Sequence, residues 1–180
     1  KDGNNVTVFC GNDTKSPRNE KIDGINIIRR GGFYMVYIWA FLYYILKFRG
    51  ECDVIIDCEN GIPFFTPLYS QKPKFLLIHH VHQEHFRKSL KPQFALLASF
   101  LETKLMPLIY RNIQVVTVSP SSKMEILKHK LTKTDPIVIY NGVNLAKFKP
   151  GEKSKNPMIL YLGRLQFYKS LHILVKAAKL

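Results

Sequence analysis

The sequence is short of acidic side chains, of paired cysteines and of long apolar runs, and each shortage removes a class of protein. Thirteen acidic residues stand against 27 basic ones, leaving a formal charge of +14. A surplus of that size favours an anionic partner: nucleic acid, an acidic membrane surface or a phosphorylated small molecule. None of the base-reading signatures is present (paired zinc ligands, a basic region followed by heptads, an aromatic ribonucleoprotein box), so nucleic acid is not the expected partner. The three cysteines, Cys10, Cys52 and Cys58, are odd in number and show no CxxC spacing. That excludes a disulfide frame and points to buried thiols in a reducing compartment, the cytoplasm. The opening Lys1-Asp2-Gly3-Asn4-Asn5 is followed by no apolar run at targeting distance. The one membrane suspect, Phe33 to Phe48, is shorter than the roughly 20 residues of a spanning helix and is bounded by Gly31-Gly32 and Lys47. It reads as a helix that is buried or lies at an interface.

What remains is globular. Hydrophobic residues make up 46% and charged residues 22%, a balance that can bury a core rather than stay disordered. The 180 residues fill one ordinary domain, or one domain with a stub of another. No internal repeat or low-complexity tract interrupts them. Short apolar runs at Val6 to Phe9, Val54 to Ile56, Phe75 to Ile78, Gln114 to Val118 and Ile137 to Tyr140 read as strands, with a sixth at Met158 to Leu162. Most do not alternate, as expected of parallel strands buried on both faces. Between them lie helical stretches at Phe33 to Phe48, Gln93 to Tyr110 (with a kink at Pro107), Ser121 to Leu131 and Ser170 to Leu180. Strand alternating with helix predicts an α/β fold with a doubly wound, Rossmann-like parallel sheet. The charged, Pro- and Gly-bearing run Lys149 to Pro157 reads as a linker. It divides residues 1–150, one Rossmann-like domain, from residues 151–180, the first strand–helix unit of a second.

Polar residues gather directly after the apolar runs. Val54-Ile55-Ile56 leads into Asp57, Glu59 and Asn60; Phe75 to Ile78 leads into His79-His80-Val81-His82. Gln114 to Val118 leads into Ser119, Ile137 to Tyr140 into Asn141-Gly142, and Met158 to Leu162 into Gly163-Arg164. Parallel strands end along one edge, and open α/β sheets bind ligands in the crevice outside that edge. Residues far apart in sequence therefore converge on one cleft. Each also has a plainer reading: Ser119-Pro120 as a helix N-cap with proline at the first helical position, Asn141-Gly142 as a tight turn, Asp57 and Glu59 as solvated loop charges. Gly163-Arg164 and Lys169-Ser170 bracket a loop that feeds a helix, the pattern of a diphosphate site made by backbone N–H groups and two cations.

His80, His82, Glu84 and His85 spell H-x-H-x-E-H after a strand, close to the H-x-H-x-D-H zinc motif of metallo-β-lactamase-like hydrolases. A zinc hydrolase is therefore an alternative. Glu84 stands where that motif has Asp, and the only later histidines are His129 and His172, so no metal site is expected.

Several segments together resemble the retaining family 4 glycosyltransferases of the GT-B fold. Asn4 to Phe9 is similar to the second strand of that family's acceptor domain, and Asp53 to Asp57 to its D-V-I-H segment. Phe75 to His82 resembles the strand ending in its active-site histidine, and Val116 to Ser122 its V-x-V-S segment. Tyr140-Asn141-Gly142-Val143-Asn144 with Phe148 and Pro150 resembles N-G-V-D-x-x-x-F-x-P. Tyr161-Leu162-Gly163-Arg164-Leu165 with Lys169 resembles V-G-R-L-x-x-x-K-G. The last two, in order and joined by a short linker, are the most specific.

The resemblance implies a nucleoside-diphosphate sugar as donor, held between two Rossmann-like domains with no obligatory metal or cofactor, and a glycan or lipid-linked acceptor. It implies that Arg164 and Lys169 hold the diphosphate beside Gly163, with Asn141 and Gly142 at the crossing between domains. His79, with His80 next, is the histidine that contacts the sugar. Asp57, Glu59, Asn60, His82 and Ser119 fall on the acceptor side. Ser170 stands where the family has glycine. The family's first strand and glycine-rich loop should precede Lys1, and its E-x7-E glutamate pair should follow Leu180. The chain alone is accordingly expected to be inactive. A non-catalytic half-transferase that binds an anion or a partner is a further alternative. The basic charge and the aromatic Phe33 to Phe48 stretch fit peripheral contact with an anionic membrane on its cytoplasmic face.

Overall fold

In a computed structural model of the chain, residues 3–81, 91–165 and 167–179 are described. They divide into two units, Lys1–Asn141 and Gly142–Leu180. The first unit opens with β1 (Thr7–Cys10), β2 (Asn19–Ile22) and β3 (Ile25–Arg29), which form a three-stranded sheet in the order β1-β3-β2. β1 runs parallel to β3 and β2 antiparallel to it. The β2–β3 hairpin is absent from the strands read out of the sequence. Its turn is Asp23-Gly24, with φ of 50° and 88°, the pair of positive φ values that a two-residue primed turn requires.

Gly31 and Gly32 turn the chain from β3 into a helix. Gly31 sits at φ +79°, where a Cβ would lie 2.5 Å from the backbone of Met35, so only glycine fits. Asn12 fixes the same corner by accepting from the Gly32 N–H at 2.8 Å. The helix α1 (Val36–Tyr43) is continued by a π-helical turn (Tyr44–Phe48) and a short α-helical end (Arg49–Glu51).

The second sheet of this unit is parallel throughout, in the order β4-β5-β6-β7: Ile55–Glu59, Lys74–Ile78, Gln114–Thr117 and Ile137–Val138. The first unit is thus an α/β, Rossmann-like arrangement. Between β5 and β6 runs α2 (Pro92–Phe100), extended by a π-helical stretch (Leu101–Leu105) and a final turn (Met106–Ile109). The kink expected at Pro107 takes this form: the widened stretch sits just ahead of the proline, and Met106 N–H donates back to Leu101 rather than one residue nearer. Widening the turn gives room to a residue that lacks a donor and crowds the preceding carbonyl. Between β6 and β7 lies α3 (Pro120–Lys128).

Strand order decides where the core sits. Each step from β4 to β7 moves one place in the same direction, and right-handed crossovers then bring every intervening helix to the same face. Leu76, Ile78 and Val115 on that face pack with Met106 and Tyr110 at the end of the α2 extension, with Ile126 of α3 and with Leu131. The opposite face carries Ile56, Phe75 and Ile137, which stay exposed. The continuous apolar runs thus belong to strands buried on one face, not on both as their lack of alternation suggests.

Among its described residues the second unit has a 3-10 turn (Phe167–Lys169) and one helix, α4 (Leu171–Ala177). Met158 to Leu162, expected to be a strand, takes no regular secondary structure, and Met158, Ile159, Leu160 and Leu162 are exposed. A strand exists only through its neighbours, and none pairs with it among the described residues.

The one-sided core gives a first prediction. Leu76→Ala should cost about 2–5 kcal/mol in urea unfolding, the range for a buried leucine that leaves a cavity. Ile56→Thr on the opposite face should stay within about 0.5 kcal/mol, as surface changes do.

Candidate functional site

The parallel register aligns the carboxyl ends of the second sheet. Glu59 is level with Ile78, Ile78 with Thr117, and Thr117 with Val138. The next residues along each strand, Asn60, His79, Val118 and Ile139, therefore stand side by side on one edge. Asn60, His79 and His80 are exposed there. His82 lies outside the described residues, as do Glu84 and His85.

The backbone at Ile78 and His79 is held from β6 and from the first turn of α3. The Ser122 hydroxyl donates to the His79 carbonyl at 2.8 Å, and the Thr117 hydroxyl donates to the Ile78 carbonyl at 2.7 Å. Ser119 is the N-cap of α3, its hydroxyl accepting from the Ser122 N–H at 3.1 Å with Pro120 at the first helical position. Such a cap satisfies one of the helix's orphan donors and is worth about 1 kcal/mol. Ser119 thus acts through Ser122, which in turn sets the height of His79 on the edge. Ser122 and Thr117 were missing from the sequence candidates, because a hydroxyl within a helix or an apolar strand carries no distinguishing pattern.

Asp57 and Glu59 share the covered face of β4, and each is only 2% exposed. Asp57 accepts from the Phe64 N–H at 3.0 Å, from the Thr66 N–H at 3.2 Å and from the Thr66 hydroxyl at 2.8 Å. The Tyr110 hydroxyl donates to it as well. Glu59 accepts from the Gly61 N–H at 2.7 Å. Both carboxylates therefore bind the loop that follows their own strand. Phe65 in that loop takes φ of 54°, an uncommon conformation for a bulky residue. The Asp57 bonds to the residues on either side hold it there. No signal near Tyr110 marks it as the partner of a residue 53 positions earlier.

Two helices close on the same loop. Tyr37 of α1 packs its ring 5.2 Å from that of Phe64, and Ala95 and Ala98 of α2 pack against Ile62. Burial, and then the negative charge of Asp57, raise the Tyr110 phenol well above its ordinary value of 10.0. Tyr69 is raised for the same two reasons, and Tyr37 is raised by burial and then by Glu59 and Asp57. Cys58, on the opposite side of β4, is also pushed up, by burial first and Asp57 second.

The remaining candidates belong to the division between units or to the second unit. Asn141 ends the first unit and Gly142 begins the second, and both are exposed. In the second unit Arg164 is exposed, and its carbonyl accepts from the Tyr161 hydroxyl at 3.0 Å. That phenol lies over Gly163, where a Cβ would meet it at 3.0 Å. Lys169 closes the 3-10 turn that precedes α4, and Ser170 between them is left-handed at φ 55°. Among the described residues, no group of three or more histidine, cysteine or acidic side chains gathers as a metal site would need. No described helix is long and apolar enough to cross a membrane.

The family model described as Glycosyltransferase Family 4 matches residues 1–147. No curated protein and no solved structure matches the chain.

The Asp57 cluster yields two predictions. Asp57→Ala removes the carboxylate that four donors share, leaving the Thr66 N–H only the Tyr110 hydroxyl at 3.2 Å, and should cost about 3–5 kcal/mol; Asp57→Asn, which keeps an acceptor, should cost less. For pH, a phenol whose folded value is raised leaves stability intact below the unfolded value near 10 and erodes it as pH climbs above that. Urea midpoints should therefore be level up to about pH 9 and fall towards pH 11. Tyr110→Phe should make that fall shallower.

Proposed function

The chain belongs to Glycosyltransferase Family 4, and we propose that it is part of a retaining GT-B enzyme that moves a hexosyl group from a nucleoside-diphosphate sugar to a glycan or lipid-linked acceptor. The observation that carries this reading is the family match across residues 1–147, which takes in the whole aligned carboxyl edge of the second sheet. That edge is where an open parallel sheet receives its ligand. His79, and His80 beside it, contact the transferred sugar. Asn60 and His82 meet the acceptor. Asp57, Glu59 and Ser119 serve the same side indirectly, the first two by shaping the loop and the third by fixing the start of α3.

Donor binding falls to Gly163, Arg164 and Lys169, with Asn141 and Gly142 leading into that part of the chain. Gly163 lets the backbone come close to the phosphates. Arg164 offers a bidentate fork and Lys169 a point charge to the diphosphate. As the glycosidic bond to the leaving diphosphate breaks, negative charge grows on its oxygens, and these two cations stabilise it more in the transition state than in the ground state. No metal or cofactor enters the proposal.

Isothermal titration of the 180-residue chain with UDP-, GDP- and ADP-linked hexoses tests this. At least one should bind, and the matching free nucleoside diphosphate should compete. Arg164→Ala should weaken binding about tenfold or more, the value of one charge-assisted hydrogen bond, while His79→Ala leaves the affinity for the free diphosphate unchanged. If Arg164→Ala binds the diphosphate as well as the parent chain, the assignment of the donor side is wrong.

A further inference from the structure

The helix α1 turns an apolar face to solvent. From Phe33 to Leu46 the sequence holds no charged residue. Its inward side is occupied: Tyr37 lies on Phe64, Tyr44 on Tyr69, and Tyr43 on Phe9, while Phe41 touches Tyr69 with one edge and stays exposed. Phe33, Tyr34, Ile38, Leu42, Ile45 and Leu46 remain exposed, with Phe33, Tyr34 and Leu46 at 77%, 78% and 82%. A contiguous apolar surface of this kind on a protein marks something that covers it.

What surrounds the face indicates the cover. A cleft of about 530 Å³ opens between the three-stranded sheet and the end of α1, and Lys21, Arg30, Tyr43 and Lys47 line it. Glu20, the one acidic residue in its wall among the described residues, is ion-paired with Arg29. The Arg30 guanidinium sits 5.3 Å from the centre of the Tyr43 ring, and donates to the Arg29 carbonyl at 2.7 Å and to Asn19 at 3.0 Å. Unbalanced cations thus stand beside an uncharged aromatic helix. A second copy of the chain would bring the same cations, within a net charge of +14, against its own kind. A leaflet with anionic headgroups complements both features: hydrocarbon for the helix face, phosphates for the cleft.

We propose that the outward face of α1 and the adjoining Lys21–Arg30–Lys47 cleft dock the protein on an anionic lipid bilayer. The helix lies in the plane of the surface, with Ile38, Leu42 and Ile45 below the headgroups and the three cations level with them. This agrees with a helix too short to cross. It goes beyond the transfer chemistry, because it invokes neither donor nor acceptor and stands or falls without them.

The test has a built-in reporter, since Trp39 on α1 is the sole tryptophan. The 180-residue chain is mixed with phosphatidylcholine vesicles, with and without phosphatidylglycerol. With the anionic vesicles the chain should sediment and Trp39 emission should shift to the blue; with phosphatidylcholine alone both effects should be much weaker. Added salt should weaken the anionic binding. Ile38→Glu should abolish the shift. Lys21→Gln with Lys47→Gln should weaken binding roughly 30-fold, at about 1 kcal/mol per cation near a charged surface. Circular dichroism confirms that each variant is folded. A folded chain that ignores anionic vesicles would overturn the proposal. So would binding indifferent to the paired lysine change, or a dimer in solution that Ile38→Glu splits into monomers.

Discussion

The carboxylate of Asp57 ties together parts of the chain that lie far apart in sequence. A buried carboxylate is costly to strip of water, and is stable only when donors replace the water around both oxygens. Here the donors come from Phe64, Thr66 and Tyr110. One side chain on β4 thereby fixes the loop after the strand and the end of the helical run that precedes β6. Bonds to a charged group contribute about 1.5–3 kcal/mol each, enough to hold Phe65 in a left-handed conformation whose cost is of order 1–3 kcal/mol. The loop in turn is the floor on which α1 and α2 rest, through Phe64 and Ile62. Glu59 adds a second tie through Gly61. The shape of the carboxyl edge is therefore an electrostatic construction as much as an apolar one.

Much of this fold could be read from the sequence because the strands are short apolar runs and the helices are bounded by glycine, proline or serine. Five of the six predicted strands form, and the Ser119-Pro120 cap sits where the pattern puts it. What went unread has physical causes. The Asp23-Gly24 hairpin was signalled by its turn, but its strands carry Asn19, Glu20, Lys21 and Asn26 and do not look apolar. The burial of only one sheet face follows from strand order, which no local window contains. Met158 to Leu162 has strand composition without a partner, and composition alone does not make a ladder.

The site was legible in position and less so in direction. Placing polar residues after strands brings Asn60, His79 and Ser119 to one edge, and in the register Asn60 and His79 stand level with Val118, one residue short of Ser119. It does not say which way a side chain points. Asp57 and Glu59 fall on the same side of β4 by the two-residue period of a strand, yet Ile56 and Cys58 on the other side are no less apolar than a core requires. Either side was an acceptable interior until the helices chose one. The hydroxyls that matter, on Thr66, Thr117 and Ser122, are invisible to a search for titratable groups because they act on backbone carbonyls and carboxylates rather than on a ligand.

The same one-sidedness connects fold to location. Because the crossover helices collect on one face of the second sheet, α1 is the element left to bridge the two sheets, and it touches both: Tyr43 reaches Phe9 of β1, and Tyr37 reaches the loop after β4. A helix with two neighbouring partners on its inner side still has an outer side, and here that side lacks any charge. Had α1 only to fill a gap, Lys or Glu on the outer positions would be cheaper to keep in water, as on most surface helices. The proposed docking supplies such an exterior with a surface that is apolar too. Since Ile62 and Phe64 seat both α1 and α2 beside the carboxyl edge, whatever α1 rests on lies near the edge where Asn60 and His79 stand. On the proposed docking, an acceptor anchored in the same lipid surface would lie within reach of that edge.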